Sequence, residues 1–69
     1  MTFNEQLKSV RLSKLDERGR TLSQEGAARL MLVSLSTYRN WEASPPRALP
    51  DIRSRARLQK LWPEMFSQP

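Results

Sequence analysis

Residues 35–43 carry the side chains with the most specific chemistry in the chain. The spacing of Tyr38 and Trp41 predicts a helix from Leu35 to Ala43 with both aromatics turned into a core. Leu35, Ser36, Arg39, Asn40 and Ala43 then lie on its outward face. An outward guanidinium can donate two parallel hydrogen bonds to guanine, and a side-chain amide can make the matching pair with adenine. A hydroxyl can bond either kind of base edge, and a leucine can pack on the thymine methyl. Leu35, Ser36, Arg39 and Asn40 are therefore candidate base-reading residues. On an arbitrary surface helix the same four would only be solvated, so their meaning depends on what positions the helix. Tyr38 and Trp41 are interleaved with Arg39 and Asn40 as stacking platforms for single strands would be, but their spacing opposite a polar face favours core.

The stretch before this helix supplies a support. Ser23 precedes a run in which Ala27, Leu30 and Met31 recur at helical spacing, so its hydroxyl suits the N-cap of a helix starting at Gln24. Glu25 places negative charge in the first turn, where the helix dipole favours it. That helix should end near Met31 or Leu32, Ser34 should cap the next, and Ser44-Pro45-Pro46 should stop it. Two helices of about two turns separated by about three or four residues have the dimensions of a helix-turn-helix, whose second helix can enter a DNA major groove.

Residues 22–42, LSQEGAARLMLVSLSTYRNWE, resemble the lambda-repressor/Cro-like helix-turn-helix family, whose usual pattern runs roughly (S/T)QEELAxxLGVSxSTVSxWExG. Ser23, Gln24, Glu25, Ala28, Met31, Val33, Ser34, Ser36, Thr37, Trp41 and Glu42 stand where the pattern expects them or a close substitute. Gly26, Ala27, Leu32 and Ser44 depart from it. Leu32 replaces the turn glycine, and positive φ there would cost roughly 1 kcal/mol or more. The resemblance implies an all-α, compact four- to five-helix domain with a central helix-turn-helix, double-stranded DNA as partner, and no cofactor. It also points to phosphate contact by Gln24 and to an ion pair between Glu42 and a first-helix arginine, for which Arg11 is the best match. Arg20 and Arg47 are further phosphate candidates that rank below Gln24, and Thr37 is either a phosphate contact or a structural residue beside Trp41. The segment WEASPPRALPD is similar to compact phage-type regulators, including anti-CRISPR-associated autorepressors. The same loop is also compatible with a toxin-antitoxin antitoxin or a plasmid-copy regulator.

The rest of the chain frames this unit as a single domain over residues 1–69. Thr2 and Glu5 have the form of a capping box opening helix 1, whose stripe is Phe3, Leu7 and Val10, and Gly19 is a permissive C-terminal residue for it. Residues 7–11, LKSVR, resemble the family's first helix but lie farther from Ser23 than usual, which means either a longer helix 1 or a longer loop. Three prolines between Pro45 and Pro50 exclude helix, and a last helix is expected over about Pro50 to Leu61. Trp62, Met65 and Phe66 add more apolar area than a core of this size needs and are the expected dimer interface.

Twelve Lys and Arg against seven Asp and Glu give a net charge of +5, which suits a polyanionic partner. With no Cys and no His, the usual zinc spacings are impossible, and the carboxylates form no recognisable acid and base pair. The expected protein is thus a non-enzymatic, cytoplasmic, membrane-free regulator that binds an inverted-repeat operator as a homodimer. The alternative is an antitoxin or other protein-binding helical module, with Leu30, Leu32 and Leu35 as its sticky patch.

Overall fold

Hydroxyl and carboxylate side chains set where the helices begin. In the computed structural model, which describes residues 2–66, the chain forms α1 (Phe3–Leu12), α2 (Gln24–Met31), α3 (Leu35–Glu42) and α4 (Ile52–Leu61), followed by a 3-10 turn, Pro63–Met65. Glu5 Oε1 accepts from the Thr2 amide at 3.2 Å, the expected reach-back at the start of α1. Ser23 accepts from the Gly26 amide, Ser34 from Thr37 and Asp51 from Ser54. Each satisfies one of the free amides that every helix N-terminus leaves. All regular structure among the described residues is helical, with one isolated β-bridge between Leu15 and Thr21.

Two boundaries differ from expectation. Helix α1 ends at Leu12, not near Gly19, so the extra length before Ser23 is the longer loop and not a longer helix: residues 13–22 close a small hairpin-like turn. The Gly19 amide bonds the Asp16 carbonyl at 3.0 Å, and the Asp16 carboxylate accepts from the amides of Arg18 and Arg20. Gly19, at φ 78, takes the left-handed position of this turn. Asp at the first position and Gly at the fourth are its sequence signature. The turn returns the chain so that Leu22, 5% exposed, drops into the core just ahead of α2. The second difference is at α4, where Asp51 is the N-cap and not a first-turn residue. Its carboxylate reaches the Ser54 amide only with an extended backbone at Asp51, so Pro50 lies outside the helix.

The core gathers Leu7, Leu22, Ala27, Ala28, Met31, Tyr38, Trp41, Leu58, Trp62 and Met65, with Phe3, Val10, Val33, Leu61 and Phe66 packed around it. Helix α3 lies against both α1 and α2, and the 3-10 turn folds back onto α1. Gln6 Nε2 donates to the Met65 carbonyl at 2.9 Å, and Lys14 pairs with Glu64 at 2.7 Å. Trp62 and Met65 are each 3% exposed, which corrects their assignment to a dimer interface. The fold-back turn spends their apolar area inside this chain, and Phe66 is half-buried beneath the Arg55 guanidinium, 5.4 Å from its ring centre. On α4, Leu58 and Leu61 pack inward, as does Trp62 just past its end. Ile52, Ala56 and Gln59 are exposed, Ile52 at 88%.

Leu32 ends α2 in the left-handed conformation, φ 61 and ψ 40, and its amide bonds the carbonyls of Ala28 and Arg29. Its side chain is 74% exposed, so little packing offsets the strain. Leu32→Gly is expected to raise stability by about 1 kcal/mol in urea unfolding. An unchanged or lower midpoint would show that the leucine makes a compensating contact. Gly26 has a different reason: a Cβ there would meet Leu22 Cδ1 at 2.8 Å, so the glycine lets Leu22 lie across the first turn of α2.

Candidate nucleic-acid interface

The outward face of α3 opens into a shallow concavity of about 480 Å³ lined by Leu35, Ser36, Arg39, Asn40, Ala43 and Arg47. All four candidate base-reading residues are therefore together on one surface. Two guanidiniums line it, none of the lining residues is acidic, and α3 has no acidic residue in its first turn. The surface thus offers hydrogen-bond donors, a helix start with no carboxylate in its first turn and the aliphatic side chains of Leu35 and Ala43, groups of the kind that base edges in a groove can meet. Tyr38 and Trp41 occupy the opposite face, at 0% and 2% exposure with ring centres 5.7 Å apart. They form core, as their spacing predicts.

Behind this face, Glu42 holds α3 to the rest of the molecule. Its Oε2 accepts from Arg11 Nε at 2.8 Å and from the Tyr38 hydroxyl at 2.5 Å. Its Oε1 accepts from Arg11 Nη2 at 3.2 Å and Gln24 Nε2 at 3.1 Å. Arg11 also donates from Nη1 to the Leu22 carbonyl, so one guanidinium joins α1, the segment leading into α2, and α3. The Arg11 and Glu42 side chains are 9% and 3% exposed. Burial pushes the Glu42 carboxyl up, but the hydrogen bonds from Arg11, Tyr38 and Gln24 outweigh it and leave it below the usual carboxylate value. The Glu42 hydrogen bond raises Arg11 in turn. Burial, then the bond to Glu42 and its charge, push the Tyr38 hydroxyl well up.

The phosphate candidates are placed unevenly. Arg47 joins the α3 concavity, and Gln24, at the start of α2, donates one of its two side-chain amide hydrogens to Glu42. Thr37 Oγ1 accepts from the Ser34 hydroxyl at 2.9 Å, which makes it part of the α3 cap. Arg20 lines a separate open groove between the 13–22 turn and α2, along with Arg18, Glu25 and Arg29. The family resemblance pairs Glu42 with Arg11 alone, whereas in the structure Tyr38 and Gln24 complete the cluster. Tyr38, one helical turn before Glu42, was the available signal. Also missed was Arg57, whose Nε donates to the Leu30 carbonyl at 2.6 Å and so caps the C-terminal end of α2 from α4. No helix among the described residues is long and apolar enough to cross a membrane.

No family model, curated protein or solved structure matches the chain.

Proposed function

We propose that this protein is a sequence-specific DNA-binding regulator of the lambda-repressor/Cro-like type, without enzymatic activity, that enters the major groove with α3 and represses by occupying its operator. The observation that carries this reading is the single concave face on which Leu35, Ser36, Arg39, Asn40 and Arg47 converge with no carboxylate among the lining residues. Two eight-residue helices with a three-residue connection, each capped by serine, support it as a helix-turn-helix. So does the Arg11–Glu42 pair that the family resemblance implies.

A single helix reads too few base pairs for specificity, so the proposal includes a two-fold dimer on an inverted repeat, with half-sites roughly 34 Å apart. With Trp62 and Met65 inside the core, that contact falls to side chains the monomer leaves exposed. Leu49 and Ile52, at 66% and 88%, flank the start of α4 and are the strongest candidates. The cytoplasm, where such an operator would be, is the proposed location.

Selection of bound sequences from a random duplex pool tests both specificity and symmetry. The expected outcome is an inverted repeat whose binding weakens steeply with added salt. Equal affinity for selected and scrambled duplexes at physiological salt would refute the reading. Within the selected site, Arg39→Ala should cost about 1 to 3 kcal/mol per half-site at one guanine while changing non-specific binding less. A second reading, a protein-binding antitoxin-like module, draws on Leu30 and Leu32, exposed at 42% and 74%. A stoichiometric protein partner with no retained DNA would favour it.

A further inference from the structure

The loop after α3 adds a residue to the reading surface. Helix α3 ends at Glu42, which leaves its last carbonyls without intrahelical partners. One of them, the Asn40 carbonyl, accepts from the Arg47 amide at 3.0 Å, so the proline-rich loop turns back against the helix it follows. This bond fixes the Arg47 backbone relative to Asn40, whose own side chain is a candidate base reader. The Arg47 side chain is exposed, lines the same concavity as Ser36, Arg39 and Asn40, and has no hydrogen-bond or ion-pair partner among the described residues.

We propose that Arg47 is a specificity-determining residue that reads a second guanine in each half-site, next to the base pairs read by Arg39 and Asn40. This rests on the DNA-binding reading of the α3 face. A phosphate anchor needs only charge at the rim of a contact surface, whereas bidentate recognition needs a planar fork brought to the base edge from a fixed origin. Arg47 meets the second requirement, because its backbone is tied to the reading helix and its guanidinium is uncommitted. The half-site therefore contains two guanines whose selection depends on two different arginines, one on the helix and one beyond its end.

The test is selection from a random duplex pool with the full chain, repeated with Arg39→Ala, Arg47→Ala and Arg47→Lys. Because the Arg47 side chain holds nothing in the fold, all variants should keep the wild-type helical signal and melting temperature. Arg47→Ala is expected to flatten guanine preference at one position, by on the order of tenfold to a hundredfold, while the position lost in Arg39→Ala stays selected. Arg47→Lys keeps the charge but not the fork, and should not restore that preference. Uniform weakening on all duplexes in Arg47→Ala, repaired by Arg47→Lys, would overturn the proposal by making Arg47 a phosphate contact, and unchanged selection in Arg47→Ala would overturn it as well. If the wild-type chain selects no sequence at all, the DNA-reading function itself fails and this assignment falls with it, a result distinct from either.

Discussion

Glu42→Ala should lower folding stability by about 3 to 5 kcal/mol, because it leaves the Arg11 guanidinium buried without its counter-charge. Total stability for a domain of this size is roughly 3 to 10 kcal/mol, so the variant should be partly or wholly unfolded in thermal melts. Arg11→Met combined with Glu42→Met should recover only part of the loss. The apolar pair removes the buried charges, yet it also strands the Tyr38 hydroxyl, the Gln24 amide and the Leu22 carbonyl, which the wild-type pair satisfies. Full recovery would show that the network adds nothing beyond the ion pair.

The same cluster contributes to both the acid and the alkaline limits. Glu42 lies below its ordinary value of 4.5 in the folded chain, so on acidification the unfolded chain takes up the proton first. Its stabilisation is complete above that value and is lost as the pH falls through the folded one. Tyr38 shifts the other way, above its ordinary 10.0. The unfolded chain therefore ionises first on alkalinisation, and stability declines once the pH rises past 10.0. Thermal unfolding followed against pH should fall at both ends. Tyr38→Phe should flatten the alkaline limb, and a limb that persists in that variant would assign it to another group.

Trp62→Ala should cost about 3 to 5 kcal/mol, the range for removing a fully packed tryptophan. Truncation after Lys60 should be worse, since it deletes both Trp62 and Met65 from the core and removes the carbonyl that Gln6 bonds. The expected product is an unfolded chain, not a folded monomer. Phe66→Ala should be mild, because that ring is only half-buried and its contact with Arg55 is worth about 0.5 to 1 kcal/mol at an exposed site. Circular dichroism with size-exclusion chromatography separates the cases. A truncated chain that stays helical and becomes monomeric would return the C-terminal segment to an interface role.

The local chemistry of this protein is written in its sequence. Ser23, Ser34 and Ser44-Pro45-Pro46 mark helix ends through side-chain acceptors and lost donors that act within a few residues, and the structure places α2 and α3 between those marks. The aromatic spacing of Tyr38 and Trp41 likewise decides which face of α3 is buried, because helical periodicity alone sets it. The pairing of Glu42 with Arg11 was accessible through resemblance, since the partners are 31 residues apart and no local rule connects them. What only the tertiary structure decided are outcomes of long-range competition. Leu22 enters the core and pulls residues 13–22 into a turn instead of more helix. Trp62 and Met65 looked surplus in a count of apolar residues, but α1 offers them a surface and a hydrogen-bond donor, Gln6, fixes the fold-back. Arg47 reads in the sequence as a loop cation suited to a phosphate, and only the fold shows the Asn40 carbonyl tying its backbone to α3. A residue's type limits which contacts it can make, and the path of the rest of the chain decides which of them it does make.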